Sequence, residues 1–319
     1  MSLLGIDLGG TKLGITQFSL EGAVLHKQSI PLAGRGGKDV GLLITDSILS
    51  ILKSKQHDEP VLSIGISVPG ISRNHTGTVW APNIPGWDDY PLLKEVEAVS
   101  SEIPVTIESD RACSILGEIW KGKANGCKDA IFLAVGTGIG AGIIVNGTIL
   151  RGAHDISGAV GWMALSRPFS NEYKSCGCFE YFASGNGIAR VAQKVLQEQV
   201  TYKGILSNKP VEDVTAHDIF DAYEIKDPIA IEVLNICTGF WGMAIANLVS
   251  IFNPEKIILG GGVFGPAVKF IPAIKTEALK WAQPISIHQV SIDASALGTE
   301  AGVYGAGYIA LRRIHPTDK

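Results

Sequence analysis

The sequence predicts an α/β protein of two related domains, because one pattern of strands and turns occurs twice along the chain. Residues 3–30, LLGIDLGGTKLGITQFSLEGAVLHKQSI, contain apolar runs interrupted by glycine turns, which is typical of three consecutive strands. The pattern returns at 130–152 as AIFLAVGTGIGAGIIVNGTILRG, with EGAVL and NGTIL in matching places. Helical patterns lie between the strands. An internal repeat in a chain of 319 residues indicates two similar domains.

The elements after the first meander follow from periodicity. DVGLLITDSILSILKSK (39–55) has apolar residues at helical spacing, and VLSIGISVPG (61–70) is a buried strand that ends in a turn. Further helices are predicted over 110–124, 186–200, 231–252 and 299–313. The glycine- and lysine-rich segment near 120–128 lacks apolar periodicity, so we place the domain boundary there.

Composition excludes several classes of protein. The chain is 46% hydrophobic and 18% charged, as globular proteins are. A net charge of -4 leaves no basic stripe for nucleic acid. No apolar run approaches the length of a membrane span, and the start MSLLGID has no charged leader. Five cysteines in so long a chain fit a reducing compartment, so we expect a cytoplasmic protein without membrane or nucleic-acid partners.

The first glycine turn lies in GIDLGGTK, residues 5–12. After Leu8, every residue is bare backbone or a donor group, which suits an anion and above all phosphate. The alternative is a tight hairpin in which the glycines only supply positive φ. These residues are Gly9, Gly10, Thr11 and Lys12.

A second glycine turn lies in VGTGIGAGI, residues 135–143. It superficially contains the glycines of a dinucleotide fingerprint, but that fingerprint requires a helix where the β-rich IIVNGTIL follows. No GxxxxGK[ST] motif occurs. A second phosphate-binding hairpin fits better. The third cluster, IILGGGV (257–263), ends a buried strand and suits either a nucleotide base or ribose or close helix–strand packing.

An acidic junction joins a strand to a helix in PVTIESDRACSILGE, residues 104–118. One interpretation is that Ser109 or Asp110 serves only as the helix N-cap. In a phosphate-binding protein, Asp110 has a second use, as a base that takes the proton from a hydroxyl attacking a phosphoryl group. Phosphoryl transfer needs alignment, charge neutralisation and a base. The two glycine turns supply the alignment, Lys12 with Mg²⁺ supplies the charge neutralisation, and Asp110 supplies the base.

These motifs together resemble the ROK family of sugar kinases, in the actin, Hsp70 and hexokinase superfamily. The resemblance covers nearly the whole chain and rests on GIDLGGTK, VPGI, APNIPGW, ESDRA, GTGIGAGIIVNG, GCFEYFASG and LGGGV, in that order. It implies two duplicated ribonuclease-H-like lobes of the actin-type ATPase fold with an inter-lobe cleft. The N-terminal lobe would comprise 1–122 and 298–319, with the final helix packed on it, and the C-terminal lobe 123–297.

The resemblance also implies a function and a site. The function is transfer of phosphate from ATP, with Mg²⁺, to a sugar hydroxyl, usually O6 of a hexose, in a homodimer. Asp110 matches the catalytic base, and Asp7 would lie near the metal through water. The phosphate and nucleotide positions are Gly9, Gly10, Thr11, Lys12, Gly136, Thr137, Gly138, Gly260, Gly261 and Gly262. The sugar positions are Gly70, Asn83, Ser109, Asp110, Trp162 and Glu180.

Departures from the family pattern concern the acceptor site. Ser109 replaces the usual asparagine before the catalytic aspartate. The usual Ala-Gly-Glu-Ile-Gly-His is SGAVGW (157–162), so Ala159 replaces a sugar-binding glutamate and Trp162 replaces a histidine that contacts the sugar and ligates zinc. CGC (176–178) supplies two thiolates where the family has three, and only Cys178 falls on a motif position. We therefore expect no structural zinc.

Loss of a carboxylate and an imidazole makes the acceptor pocket less polar. Trp162 either stacks on the apolar face of a sugar or fills space as a core residue. The acceptor is then a modified sugar, or glucose bound by other groups. Two other functions compete with the kinase: a catalytically weak sugar- or nucleotide-binding protein, which the retained Asp7, Lys12 and Asp110 disfavour, and a repressor, whose helix-turn-helix has no room before the first strand at Leu3 or Leu4.

Overall fold

The computed structural model describes residues 1–53, 59–100, 102–199 and 201–315. Packing divides the chain into two compact units. Unit 1 consists of Met1–Cys127, Ile149–Ser157 and Ser295–Lys319, and unit 2 of Lys128–Thr148 and Gly158–Ala294. The division after Cys127 falls inside the predicted boundary segment, a few residues from the predicted limit at 122/123, and the division before Ser295 lies a few residues from the predicted limit at 297/298. Ile149–Ser157, which the prediction placed in the C-terminal lobe, belongs to unit 1.

Unit 1 is built on a five-stranded sheet in the order β3-β2-β1-β4-β7. The first three strands form the antiparallel meander that the sequence predicts, whereas β4 and β7 join β1 in parallel. A two-stranded hairpin of β5 and β6 is separate. The elements are β1 (Ser2–Leu8), β2 (Lys12–Ser19), β3 (Val24–Pro31), α1 (Gly37–Lys53), β4 (Val61–Val68), β5 (Ile71–Arg73), β6 (Thr78–Trp80), α2 (Leu92–Ser100), β7 (Val105–Ser109), α3 (Asp110–Lys121) and α10 (Ala301–Ile314).

The core of unit 1 follows from amphipathic elements. In α1, Val40, Ile44 and Ile48 recur at four-residue spacing and are fully buried against the sheet. On the other side, α10 packs on β1, β4 and α3. Leu3, Phe18 and Ala310 form a second small cluster there.

Close backbone approach explains the small residues of α10. A Cβ atom at Gly305 would lie 1.8 Å from the carbonyl oxygen of Cys113 in α3, and one at Gly65 would lie 1.9 Å from that of Ala306. Neither neighbour is the end of a flexible side chain, so both positions require glycine. The final helix is thus inserted against β4 and α3 at backbone distance.

Unit 2 repeats the arrangement of unit 1. Its sheet has the order β10-β9-β8-β11-β12, with an antiparallel meander followed by two parallel strands. The predicted duplication of an α/β domain is therefore confirmed. The elements are β8 (Ala130–Val135), β9 (Ile139–Val145), β10 (Thr148–Ile149), α4 (Cys178–Ala183), α5 (Gly185–Glu198), α6 (Ala216–Glu224), α7 (Pro228–Phe252), β11 (Lys256–Gly260), α8 (Ile271–Trp281), α9 (Ser286–Gln289) and β12 (Ser291–Ala294).

Helix α7 forms the centre of unit 2. The Asp227 carboxylate caps its N-terminus by accepting hydrogen bonds from the N–H groups of Ile229 and Ala230. Within the described residues it is the one helix long and apolar enough to cross a membrane by length and composition, but 67% of its most apolar window is buried inside the protein. Its Trp241 ring is fully buried and donates to the Ala183 carbonyl. Burial in the core accounts for its apolar character.

Candidate functional site

The first glycine turn is a tight connection between β1 and β2. The Gly9 N–H donates to the Lys12 carbonyl at 2.9 Å, which closes the turn and leaves Gly10, Thr11 and Lys12 exposed at its tip. Asn83 lies beside it, because a Cβ atom on Gly10 would be 3.9 Å from the Asn83 Cβ. The predicted phosphate residue Gly10 and the predicted sugar residue Asn83 thus lie side by side on unit 1.

A row of polar residues crosses the sheet of unit 1 below this turn. Asp7 on β1 is paired with Ser67 on β4, which is paired with Glu108 on β7, so the three side chains lie on one face. The Asp7 carboxylate lies against the first turn of α10, where a Cβ on Gly302 would be 2.7 Å from its Oδ1. Burial raises the pKa of the Asp7 carboxyl, and the Ser67 hydroxyl and the Lys12 ammonium oppose that rise.

Asp110 begins α3, directly after β7. Ser109 is the N-cap, and its hydroxyl accepts from the Ala112 N–H, so the N-cap reading is confirmed for Ser109. Asp110 is therefore free of that role, and its Oδ1 accepts from the Arg111 N–H at 2.7 Å. Burial raises the pKa of the Asp110 carboxyl to about 6 and the charge of Asp7 acts in the same direction, whereas Arg111 lowers it. A carboxyl with this pKa is ionised near neutral pH and can accept a proton.

Ion pairs and backbone contacts hold the surroundings of Asp110. The Arg111 guanidinium donates to the Gly70 carbonyl at 3.1 Å. Gly70 has a φ of 85°, and a Cβ there would lie 2.1 Å from the Trp80 carbonyl oxygen, so only glycine fits. Glu108, nearly fully buried, is bound by the Arg151 guanidinium through Nε at 2.9 Å and Nη2 at 2.5 Å. Sequence reasoning missed this pair, because the two residues are far apart in the chain.

The acidic groups of unit 1 fit a magnesium ion. Mg²⁺ prefers oxygen ligands and commonly binds through one or two carboxylates, with waters and substrate phosphates completing its shell. The pKa of Asp7 and the pKa of Asp110 are both raised by burial, and the charge of Asp7 disfavours ionisation of Asp110. A divalent cation would remove that cost. The donor chemistry present therefore suits the predicted metal at Asp7.

The second glycine turn, in unit 2, is supported by a helix. The Gly136 N–H donates to the Gly138 carbonyl at 2.9 Å, and the Gly136 carbonyl accepts from the Gly185 N–H at 2.7 Å. Gly185 is the first residue of α5, whose N-terminus Ser184 caps by accepting from the Gly187 N–H at 3.0 Å. The turn is thereby joined to the positive end of a 14-residue helix, an arrangement that favours phosphate.

A cavity of about 510 Å³ opens at this turn. Gly136, Thr137 and Gly262 line it, as predicted for the nucleotide. Gly262 has open space where a Cβ would point, whereas a Cβ on Gly260 would collide with the Phe132 ring at 2.2 Å. Gly261 likewise lies against the backbone of Val135. The sequence left two interpretations of this glycine cluster, contact with a ligand and close packing. Gly262 agrees with the ligand interpretation and Gly260 with the packing interpretation.

The rest of the cavity wall was missed from the sequence. It comes from α5 and from the segment that enters α6, whose N-terminus has a Thr215–Asp218 capping box. The Gln193 side chain donates to the backbone carbonyls of Glu212 and Val214 and so fixes that segment. The capping box is visible in the sequence as TAHD, but nothing in it indicates a ligand. The additional lining residues are Gly185, Asn186, Ala189, Gln193, Glu212, Val214, Thr215, Ala216, His217, Phe220, Val263 and Pro266.

Glu180 and Trp162, two predicted sugar residues, lie on unit 2. The Glu180 Oε2 accepts from the Ile139 N–H at 2.6 Å, so it contacts the end of the second glycine turn. A Cβ on Gly138 would lie 2.8 Å from the same oxygen. Burial raises the pKa of Glu180, and the Ile139 N–H and Arg190 oppose it. Trp162 is 57% exposed, so it is not the core residue of the alternative interpretation.

The two thiols of CGC remain without further metal ligands in the part of the chain that the structure describes. No group of three or more histidine, cysteine or acidic residues there is arranged to hold a metal ion. Cys178 is buried at the start of α4, and the Cys176 thiol donates to the Gly177 carbonyl. The expected absence of structural zinc stays a prediction.

Comparisons with known proteins extend over nearly the whole chain. The family described as the ROK family matches residues 3–313. A glucokinase of Halalkalibacterium halodurans is 32% identical over 99% of this chain and 97% of its own length. A xylose repressor of Caldicellulosiruptor bescii is 31% identical over 95% of this chain and 76% of its own length. The crystal structure of a ROK family glucokinase from Streptomyces griseus in complex with glucose and AMPPNP has a TM-score of 0.76 and 27% identity, covering 97% of this chain and 99% of that one.

Proposed function

Because this chain belongs to the ROK family, we propose that it is an ATP-dependent kinase that phosphorylates a hydroxyl of a hexose or modified hexose. The likeness to solved family members confirms the predicted fold of two actin-type ATPase lobes. The glucokinases among the relatives support sugar phosphorylation. Since a xylose repressor is also a close relative, the site residues have to carry the enzymatic part of the proposal.

The observation that carries it is Asp110. Its carboxyl starts α3 on the unit that bears the first glycine turn, and burial raises its pKa to about 6. We infer that it accepts the proton of the acceptor hydroxyl as the oxygen attacks the γ-phosphorus of ATP. The bond to the β,γ-bridging oxygen breaks, and ADP leaves with the negative charge. A binding protein has no need of a buried base tuned to this range.

The nucleotide is assigned to the cavity of about 510 Å³ in unit 2. Thr137 and the backbone of Gly136 and Gly138 would bind phosphates at the N-terminus of α5. Gly262 would border the adenosine, since its open side permits close approach. Lys12, with Gly9, Gly10 and Thr11, would bind the transferred phosphate. Mg²⁺, held through water by Asp7, would neutralise the phosphate charge.

The acceptor is assigned to the sugar positions that the family resemblance implies. These are Gly70, Asn83 and Ser109, with Asp110, on unit 1, and Glu180 and Trp162 on unit 2. O6 of the hexose is the hydroxyl that family resemblance favours. We also propose that the protein is cytoplasmic and acts as a homodimer. Sedimentation velocity tests the oligomeric state directly.

The decisive experiment is coupled ADP release from Mg-ATP with a panel of hexoses, N-acetylhexosamines and amino sugars. We expect at least one sugar to give turnover, and Asp110→Asn to lower kcat by about 10² to 10⁴. Calorimetry with ATP should show unchanged nucleotide binding in the variant. Turnover undiminished in Asp110→Asn would refute the assignment of the base.

A second candidate is a sugar- or nucleotide-binding protein with little catalysis. Ser109, Ala159 and Trp162 favour it, because each replaces a residue that usually contacts the sugar. Binding of ATP and of a sugar by calorimetry, with no ADP release across the panel, would select this candidate over the kinase.

A further inference from the structure

Glu118 is a buried carboxylate that the proposed phosphoryl transfer does not use. It lies in α3, the helix that Asp110 begins, and its side chain is fully buried. Its Oε2 atom accepts from the Lys123 N–H at 2.7 Å, and its Oε1 atom accepts from the Ser295 hydroxyl and from the Leu297 N–H at 3.2 Å. Such hydrogen bonds offset the cost of removing a carboxylate from water. Glu118 thereby ties α3 to a segment 177 residues further along the chain.

The segment that Glu118 binds is the one with which the chain returns to unit 1. Unit 1 resumes at Ser295, and α10 begins at Ala301. We call residues 295–300 the entry turn. The Ser295 hydroxyl, which donates to Glu118, also accepts from the Gly298 N–H at 2.8 Å, and Gly298 has a φ of 55°. Glu118 therefore holds the entry turn in the conformation from which α10 starts.

Close backbone packing limits the movement of α10 in a second direction. A Cβ atom on Gly117 would lie 2.3 Å from the Ala301 carbonyl oxygen, so the first turn of α10 touches the backbone of α3. The contact of Gly305 with Cys113 continues the same interface one turn later. Interfaces packed at this density do not deform freely. Sideways displacement of α10 is thus limited by glycine contacts, and displacement along its axis is limited by the entry turn.

The first turn of α10 borders the Asp7 carboxylate. A Cβ atom on Gly302 would lie 2.7 Å from the Asp7 Oδ1 atom and 3.0 Å from the Oδ2 atom, so helix backbone closes this side of the carboxylate. If the turn moved away, water would enter and the carboxylate would be free to rotate. Misplacing a functional group by about 1 Å can lower a rate by about 10². The geometry of Asp7 therefore depends on where α10 begins.

We propose that Glu118 is a positioning residue for Asp7, because it fixes the entry turn and so keeps the first turn of α10 against the Asp7 carboxylate. The kinetic consequence rests on the proposed kinase function, in which Asp7 holds Mg²⁺ through water. Loss of the Glu118 hydrogen bonds should weaken the use of Mg²⁺. Asp110, at the start of α3, should keep its place.

The kinetic test alters the acceptor in Glu118→Gln and removes one donor in Ser295→Ala. An amide has a single accepting oxygen, so Glu118→Gln leaves one side of the network without an acceptor. We expect each variant to raise the Mg²⁺ concentration at half-maximal kcat about fivefold, with KM for the sugar changed less than about twofold. Ser295→Thr retains the hydroxyl and should restore the wild-type value. Ser19→Ala, which removes a hydroxyl at the opposite end of β1 and β2, is the matched control.

Hydrogen exchange followed by mass spectrometry supplies a readout that needs no activity. Loss of the entry-turn contacts should let the first-turn amides of α10 exchange at least about tenfold faster in Glu118→Gln and Ser295→Ala than in the wild type. The amides of α1, on the other side of the sheet, should exchange at the wild-type rate. If Glu118→Gln does not fold, Ser295→Ala carries the same comparison, since this hydrogen bond is only partly buried.

Three results would overturn the proposal. They are unchanged exchange in the first turn of α10, faster exchange with an unchanged Mg²⁺ requirement, and an equal response of Ser19→Ala. The second result would make Glu118 a stabilising residue only. If no sugar of the panel is phosphorylated, the kinase assignment fails and calorimetry with ATP replaces turnover. Weaker ATP binding by Glu118→Gln with Mg²⁺ but not with EDTA then supports the positioning of Asp7, and any other pattern refutes it.

Discussion

The two glycine turns occupy equivalent places in equivalent sheets but offer a ligand different chemistry. The first, between β1 and β2, carries the charged Lys12 at its tip and lies above the carboxylate of Asp7. The second, between β8 and β9, is neutral and depends on the N-terminus of α5, which is joined to it through Gly185. Duplication thus preserved the backbone while charge became concentrated in one copy and helix-oriented backbone donors in the other.

The units also differ in what covers the sheet behind each turn. In unit 1, α10 approaches α3 so closely that a Cβ on Gly305 would lie 1.8 Å from a carbonyl oxygen. Gly262 of unit 2 has open space instead. Gly305→Ala should therefore lower the free energy of unfolding by about 3 kcal/mol, and Gly262→Ala by less than about 1 kcal/mol. Urea denaturation measures the free energy of unfolding of both variants. Similar losses of stability in the two variants would mean that α10 can be displaced from α3 to accommodate the added methyl group.

The charge difference is tested by removing one polar side chain from each turn. Lys12→Ala loses a charged contact with phosphate, so kcat/KM for ATP should fall by about 100-fold. Thr137→Ala loses a neutral hydrogen bond and should cost about fivefold. Steady-state kinetics at low and high salt sharpens the comparison, since only the Lys12 effect should shrink with ionic strength. Equal effects would refute the division between charged and neutral turns.

The pH dependence of kcat/KM tests unit 1 alone, because Asp110 lies there. Asp110 has to be ionised to act as a base and its pKa is about 6, so kcat/KM at about pH 5 should be about tenfold below its plateau. A profile that is flat between about pH 5 and pH 8 would contradict the role of Asp110.

The same pKa has a consequence for stability. A folded-state pKa raised above its unfolded value of 3.8 means that stability is lost as the pH rises from about 4 through about 6. Asp110→Asn should then be more thermally stable than the wild type at neutral pH, and the difference should vanish below about pH 4. Differential scanning calorimetry across this range gives the sign directly, and a variant less stable at neutral pH would show that the ionised carboxylate stabilises the fold.

The smallest effect concerns Glu180, which sequence resemblance assigns to the sugar and the structure places on the second turn. Glu180→Gln keeps an acceptor for the Ile139 N–H but loses the charge of the carboxylate, so KM for ATP and KM for the sugar should each rise about threefold. A rise confined to the KM of the sugar would favour direct sugar contact.

The extent of sequence-based prediction can be judged from particular residues. The meanders, α1, α7 and α10 were predictable because their apolar spacing is long and regular. Local chemistry predicted that either Ser109 or Asp110 would cap α3, and the structure selects Ser109. The Glu108–Arg151 pair, the packing of Gly260 on Phe132 and the wall of the nucleotide cavity were not predictable, since they depend on side chains that meet only after folding.

The discontinuity of unit 1 has a consequence for the order in which it is made. Its first 127 residues leave the ribosome early, but Ser295 onward, with α10, follows only after unit 2 has been synthesised. At about 5 to 20 residues per second, the intervening stretch of about 170 residues takes roughly 10 to 30 s. During this interval the face of the first sheet that bears Asp7 has no α10 to cover it. Synthesis of α10, rather than completion of the first sheet, is therefore the event that allows the nascent chain to assemble the surroundings of its acidic residues.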